Sequence, residues 1–402
     1  FGPPIKRQLP PRRPLTLRKS RLERLLGEKI PGRQVRAVFN SLGMSPKVES
    51  GGWTVIPPSY RFDLSGEHDL VEEVARIVGY DKFKPRTPRV QVGRGLAAER
   101  VLNADRARDL LVDRRYYEAI TYSFVNPALQ VLVAPGVPAI DLRNPIASHL
   151  GQMRLSLLPG LLEALSNNAR RQIRDVSFFE TGHVYLKKGR GRTEIERIAG
   201  VSMGMALDRS WDRPDRPIDF FDVKGDVEAL LRLADPKRRT TFEQNSNPAY
   251  HPGQCAQIWV EGQSCGWIGR ISPKLQEFVE LESPIFAFEL DWDLINKAKI
   301  PQFSPASRFP VIGRDLSFVF SNDIAAAKIR SCIRKSAGEL LVTLDLVDIY
   351  RGKGIKEGKK SVTYRLTLQS NSRSLTDEEA DNITGRIIAA ITSDLGGELR
   401  AG

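Results

Sequence analysis

The chain has 402 residues and a net charge of +13, with 41% hydrophobic and 27% charged residues. That length supports two to four domains with full cores, and the composition is ordinary for a globular protein. No apolar run approaches membrane-spanning length and no signal-peptide pattern is present, which argues against a helical membrane protein and for a cytoplasmic setting. Three cysteines (Cys255, Cys265, Cys332) form no CxxC pair and four histidines are scattered, so neither a zinc site nor a disulfide framework is expected. The chain starts at Phe1 rather than Met, as expected of a trimmed part of something longer.

The positive charge is unevenly placed. Residues 1–94 carry 19 Lys/Arg against 9 Asp/Glu, whereas 95–308 carry 28 against 27 and 309–402 carry 14 against 12. The excess is therefore N-terminal. A patch of that sign suits a polyanion such as RNA, and it equally suits a solvated linker or a subunit contact.

Residues 1–15, FGPPIKRQLPPRRPL, read as an extended connector. SRLERLLGEKI predicts an amphipathic helix opened by Ser20, and PGRQVRAVFNSLGM a second one stopped by Gly43. Strands over GGWTVIPPSYRFD follow, with Pro57 and Pro58 holding an extended entry and Tyr60 and Phe62 alternating as in a short strand. A third helix is predicted with Asp69 as its N-cap, Glu72 three residues on, the stripe Leu70, Val74, Ile77, Val78, and Gly79 as the stop. Helix, turn, helix, strands and helix is a winged-helix-like order.

Asp63, Asp69, Glu72 and Glu73 crowd into eleven residues of an otherwise basic segment. One reading is a capped, solvated helix start, because acids complement the N-terminal dipole. The other is a hard-cation site, because oxygen ligands suit Mg²⁺.

Lys82 to Arg94 has the Pro and basic composition of a linker. A long helix from about Leu96 to Asp113 leads to an alternating strand, YYEAITYSFVNP. A helix entered at Pro159 and a central strand, DVSFFETGHVY, come next. IDFFDVKGDVEALL pairs a strand end with a helix, HPGQCAQIWVEGQSCGWIGRISPKL reads as a hairpin turning at EGQS, and PIFAFELDWDLI closes the sheet. From Phe309 the pattern is βαββαβ, the order of a ferredoxin-like domain, with a capping signal from Thr376 to Glu379. Its loop from Arg351 to Lys360 holds Arg351, Lys353, Lys356, Lys359 and Lys360 among glycines, a composition that suits phosphate contact and equally suits a solvated turn. Arg308, Arg314 and Arg373 extend that surface as candidates, and Tyr350 or Phe309 as base-stacking residues.

PPSYRFDLSGEHDLVEEVARIVGYDK resembles the signature of the β subunit of bacterial phenylalanyl-tRNA synthetases, P-S-x-R-x-D followed by D-L-[IV]-E-E-[IV]-A-R-x-x-G-Y. FP-x-x-x-RDLSFV, D-x-YRGKGI-x-EGKKS and LTDEE extend the resemblance to the C-terminus. The resemblance implies an α+β multidomain chain: a winged-helix-like domain over 1–94, a degenerate class II synthetase-like antiparallel core over 95–300, and a ferredoxin-like anticodon-binding domain over 301–402. It implies Mg²⁺ held by Asp63, Asp69, Glu72 and Glu73 at the contact with an α subunit, an (αβ)₂ heterotetramer, tRNA(Phe) as ligand, and ATP used at the α subunit. It also implies a noncatalytic scaffold, inactive alone and without the upstream tRNA-binding and editing domains.

The residues agree with a core that does no chemistry. Arg154 stands near the place of a working class II arginine, yet no further Arg/Glu set is apparent in the later strands. His251 beside Pro and Gly reads as a turn-packing residue, so no catalytic residue is expected. A free-standing nucleic-acid-binding protein and an independent class II ligase are the alternatives. Salt-sensitive binding to many duplexes without α would mark the first, and phenylalanine-dependent pyrophosphate exchange by the isolated chain the second.

Overall fold

The computed structural model describes residues 12–85, 87, 100–189, 191–300, 302–303 and 305–400. Residues 1–95 and 96–402 form two compact units. Most of the N-terminal connector and of the 82–94 linker, and the first residues of the helix expected from Leu96, lie outside the described residues.

The first unit runs β1 (Leu15–Arg18), α1 (Lys19–Leu26), α2 (Gly32–Ser41), β2 (Lys47–Glu49), β3 (Gly52–Val55) and α3 (Glu67–Val78). The strands form an antiparallel sheet in the order β1-β3-β2. Helical spacing puts Val35, Val38 and Phe39 on one side of α2, and Leu70, Val71 and Val74 on one side of α3, and these bury with Leu17, Leu22 and Trp53 in a single core. Gly27, left-handed at φ 72°, ends α1.

Two expectations are corrected here. Tyr60 and Phe62 belong to a turn, with the Arg61 amide donating to the Pro58 carbonyl at 3.0 Å, and both rings are exposed. Alternation alone makes no strand where the residues on either face have no surface to cover. Helix α3 starts two residues before Asp69, so Gly66 is the N-cap and Asp69 the third residue of the helix.

The second unit runs α4 (Ala104–Asp113), β4 (Tyr116–Glu118), β5 (Phe124–Val125), α5 (Pro127–Val133), β6 (Gln152–Met153), α6 (Leu158–Ala169), β7 (Val176–Lys188), β8 (Gly191–Met203), α7 (Phe220–Ala234), β9 (Thr240–Gln244), β10 (Tyr250–Val260), β11 (Gln263–Ile271), α8 (Pro273–Phe278), β12 (Ile285–Asp291) and α9 (Trp292–Ile295). The order β4-β7-β8-β12-β11-β10-β9 makes a seven-stranded sheet, antiparallel except for the parallel β4–β7 pair. Helix α4 is shorter than expected, because Asn103 caps it by accepting from the Asp105 amide and Val101 is bridged to Lys297. The strand expected from Tyr116 breaks after Glu118, leaving Ile120 and Tyr122 exposed.

Alternation along the strands gives the sheet two packed faces. Ile198 and Phe288 join Leu111, Val227 and Leu230 on one side, while Ala199 and Ala287 join Leu161, Leu165 and Leu275 on the other. The hairpin is confirmed, turning at Glu261 (φ 50°) and Gly262 (φ 81°) between paired Val260 and Gln263. PIFAFELD does not close the sheet: β12 lies inside it, between β8 and β11, and the edges are β4 and β9. Cys255 and Cys265 are buried in different clusters, and burial pushes their thiols up to about 11 and about 12, which keeps them unreactive.

The C-terminal part continues β13 (Ile312–Ser321), α10 (Ala326–Ala337), β14 (Leu341–Tyr350), β15 (Lys359–Leu368), α11 (Asp377–Leu395) and β16 (Glu398–Leu399). The expected βαββαβ order is present, in an antiparallel sheet ordered β14-β15-β13-β16. Phe318, Phe320, Tyr364 and Leu366 pack against Ile329, Ile333, Ile383 and Ile387 of the two helices. No helix among the described residues is long and apolar enough to cross a membrane.

Candidate nucleic-acid and partner surfaces

The eight cations expected to face RNA divide into two groups. Arg314 is bound to α11, donating to Asp377 at 2.7 Å and Asp381 at 3.1 Å. Arg373 grips Glu379, the residue that also accepts from the Thr376 amide at 3.0 Å and so completes the helix cap. Their charge is committed to anchoring a helix start. Lys359 pairs with Glu398 at 2.7 Å, and Lys360 turns inward to donate to the carbonyls of Asn322 (2.9 Å) and Ile324 (2.7 Å). Burial, helped by Arg351, pushes the Lys360 ammonium below its ordinary value.

Arg308, Arg351, Lys353 and Lys356 are exposed and make no ion pair among the described residues. Three of them ride the β14–β15 loop, where Gly354 (φ 92°) supplies a left-handed turn that a side chain would strain. Tyr350 opens this loop with its hydroxyl donating to the Lys353 carbonyl at 3.3 Å, and Arg400 lies 5.8 Å from its ring centre. Phe309 is half-buried, and its carbonyl accepts from Gln369.

The four carboxylates of the first unit have separate duties. Arg61 binds Asp63 (2.7 Å) and Glu73 (2.7 Å) together, and Arg76 takes the other Glu73 oxygen at 2.5 Å. Asp69 accepts from the amides of Ser65 (2.7 Å) and Gly66 (2.8 Å). Burial pushes its carboxyl up, but these N–H groups hold it below the usual range. Glu72 is exposed, with no partner among the described residues. Glu67, which carries no expectation from sequence, accepts from the Arg18 amide at 2.7 Å and holds its guanidinium, closing the start of α1 from 49 residues away. No group of three His, Cys, Asp or Glu among the described residues could hold a metal, so within this chain the four carboxylates do not form a complete site.

In the central sheet Arg154 is buried against Glu180 at 2.7 Å. A second Arg/Glu pair, which sequence spacing did not reveal, joins Arg197 of β8 to Glu289 of β12 at 2.8 Å. The other Glu289 oxygen accepts from Ser156 Oγ (3.0 Å) and the Leu157 amide (2.7 Å). This pair lines a cavity of about 290 Å³. His251 accepts from the Gly253 amide at 3.1 Å, as a turn residue does.

Three family models account for most of the chain. The phenylalanyl tRNA synthetase beta chain CLM domain matches residues 84–292, the tRNA synthetase B5 domain 15–80, and the ferredoxin-fold anticodon binding domain 307–400. The chain belongs to the phenylalanyl-tRNA synthetase β-chain family. Among its relatives, the phenylalanine–tRNA ligase beta subunit of Methylococcus capsulatus is 41% identical over 392 residues, covering 98% of this chain and 49% of the relative. That of Vibrio cholerae is 40% identical over 395 residues, covering 98% and 50%. The chain thus spans about half the length of the curated relatives it matches. A pyrrolysyl tRNA synthetase of Desulfitobacterium hafniense is similar at a TM-score of 0.37 and 12% identity, covering 48% of this chain and 64% of that one, too slight a likeness to bear on the fold.

Proposed function

We propose that this chain is the tRNA-positioning and subunit-pairing part of a phenylalanine–tRNA ligase β subunit. The observation that carries this reading is the set of outward cations, Arg308, Arg351, Lys353 and Lys356, on a domain matched by an anticodon-binding family model. Ammonium and guanidinium groups without internal partners meet phosphates at no loss of existing pairs. Holding the anticodon region fixes the rest of the tRNA, which turns a loose encounter at a distant catalytic centre into an oriented one. Anisotropy titrations of labelled tRNA(Phe) and of its anticodon stem-loop test this. Salt-sensitive binding that falls in an R351A/K353A/K356A variant is expected, and binding that the variant leaves intact overturns it.

The rest of the chain acts in this reading as a scaffold of winged-helix-like and class II-like parts without catalysis of its own. Arg154, in the segment entering α6, and Arg197, on β8, are paired to Glu180 and Glu289, so the charge of both is already matched within the chain. Phenylalanine activation with ATP belongs to an α subunit in an (αβ)₂ assembly. A Mg²⁺ at the contact with α would supply positive charge there for carboxylates of this chain. Glu72 and the exposed edge of Asp63 are the groups of this chain able to reach it, while Asp69 and Glu73 keep their internal partners. The isolated chain is expected to show no phenylalanine-dependent pyrophosphate exchange, and measurable exchange would overturn the scaffold role.

A further inference from the structure

Helix α10 carries a charge pattern that nothing inside the chain answers. Its twelve residues, AAKIRSCIRKSA, include no acid. Lys328, Arg330, Arg334 and Lys335 are all exposed, with no ion pair or side-chain hydrogen bond among the described residues. Ile329, Ile333 and Ala337 turn the opposite side into the core. Arg334 and Lys335 suit the carbonyl end of the helix dipole. Lys328, however, stands in the first turn, where positive charge opposes the dipole, and Arg330 faces Arg334 one turn on. Helix α11 shows the ordinary arrangement, with Asp377, Glu378 and Glu379 in its first turn. Lys328 and the Arg330–Arg334 pair therefore cost α10 stability rather than add to it.

Composition and place say what this face meets. Between the cations it shows Ala327 and Ser331, and none of the exposed large apolar side chains among the described residues lies between 322 and 341. A protein contact is built around an apolar centre, which this face lacks. Small residues between cations instead let a phosphate backbone come close. The helix also begins where the β14–β15 loop ends. The Asn322 amide donates to the Gly358 carbonyl at 2.9 Å, and Lys360 reaches back to the carbonyls of Asn322 and Ile324. The cations of α10 thus continue those of Arg351, Lys353 and Lys356, and run on for about 10 Å of helix from Lys328 to Lys335. We propose that α10 is a second RNA-binding face, lying along the stem phosphates of the tRNA whose anticodon end the loop holds. This rests on the tRNA-binding reading above and adds the stem backbone as what the helix recognises.

Anisotropy titration of the 402-residue chain with a labelled anticodon stem-loop, and with its loop as a single strand, tests this. In K328A/R330A/R334A/K335A, stem-loop affinity should fall about tenfold or more. The slope of log K against log salt should fall by about 3, at roughly 0.7–0.9 for each phosphate no longer neutralised. Binding of the single strand should stay within about twofold, because it has no stem for α10 to meet. The variant should also unfold no earlier in urea than the unaltered chain, since like charges are removed. Unchanged stem-loop affinity and slope, equal loss for both RNAs, or lost stability would each overturn the assignment. So would a weaker complex with the α subunit by light scattering while RNA binding stays intact, which would make α10 a subunit contact. Failure of the tRNA-binding reading shows separately, as no binding of either RNA by the unaltered chain, and overturns this one with it. Should the quadruple variant fail to fold, Arg330→Gln and Arg334→Gln decide it, each expected to lower the slope by about 0.7–0.9.

Discussion

Arg154 and Glu180 form an ion pair of 2.7 Å whose side chains are only 5% and 4% exposed. Further hydrogen bonds hold both partners. Arg154 Nε donates to the His183 carbonyl at 2.8 Å, and Thr121 Oγ1 donates to Glu180 at 2.7 Å while accepting from Arg154 at 3.1 Å. A loop, the segment entering α6 and strand β7 are thereby tied at one point.

Breaking such a pair from one side leaves an uncompensated buried charge. Arg154→Met should cost about 3–5 kcal/mol, while Arg154→Met with Glu180→Leu should recover much of it, since the desolvation cost goes with the charges. Urea unfolding of the two variants measures this. Equal loss in both would mean that packing, not charge, holds this point.

Gly182 gives the same pair a second test. A Cβ there would lie 2.3 Å from Arg154 Nη2. A free arginine tip would swing away, but this one is pinned by Glu180, Thr121 and His183. Gly182→Ala should cost about 1–3 kcal/mol in the same unfolding measurement, as overpacking does. It should cost almost nothing once Arg154 is replaced by Met.

What could be read without a structure was local. Thr376 and Glu379 cap α11 as their three-residue spacing implies, and Glu261–Gly262 turns the hairpin, because both signals are complete within four residues. Arg197 and Glu289 are 92 positions apart and meet only because β12 enters the sheet beside β8, so no spacing could have disclosed them. The same holds for β9, whose place at the sheet edge depends on β10. Lys359 and Lys360 read like their loop neighbours, yet strand pairing turns them toward Glu398 and the Asn322 carbonyl. Tyr60 and Phe62 show the converse, a true alternation with no sheet for it to join.

Glu73 makes the first unit acid-sensitive. The Arg61 guanidinium, against the opposing effect of burial and with help from Arg76, holds its carboxyl below the usual range. The folded state thus binds this proton less readily than the unfolded chain. Its stabilising contribution is complete above the unfolded value of about 4.3 and is lost as pH falls through that value toward the folded one. Urea midpoints recorded from neutral to acidic pH should fall, and Glu73→Gln should start lower and flatten the fall. A parallel curve would assign the acid sensitivity to other carboxylates.

The division among the C-terminal cations predicts different failures. Removing Arg351, Lys353 and Lys356 should leave the fold intact and reduce the slope of log K for RNA against log salt by about 2–3, at roughly 0.7–0.9 for each phosphate no longer neutralised. Arg314→Ala and Arg373→Ala should instead loosen the start of α11, visible as faster amide exchange there, with the salt slope unchanged. If Arg373→Ala lowered the slope as the loop lysines do, its bond to Glu379 would have to open on RNA binding.

Asp69 and Glu72 share one helix turn and should part company on substitution. Asp69 accepts two backbone N–H groups at the start of α3, so Asp69→Ala should cost about 1 kcal/mol in the chain alone, as loss of a cap does. Glu72 holds nothing within the described residues, and Glu72→Gln should leave stability within about 0.5 kcal/mol. With the α subunit the ranking should reverse. If the proposed shared Mg²⁺ holds this carboxylate, Glu72→Gln should weaken the complex seen by light scattering in Mg²⁺ and make no difference in EDTA. A complex indifferent to both EDTA and Glu72→Gln would leave all four acids with the duties they already have: Asp63 and Glu73 on Arg61, Asp69 on the helix start, and Glu72 in water.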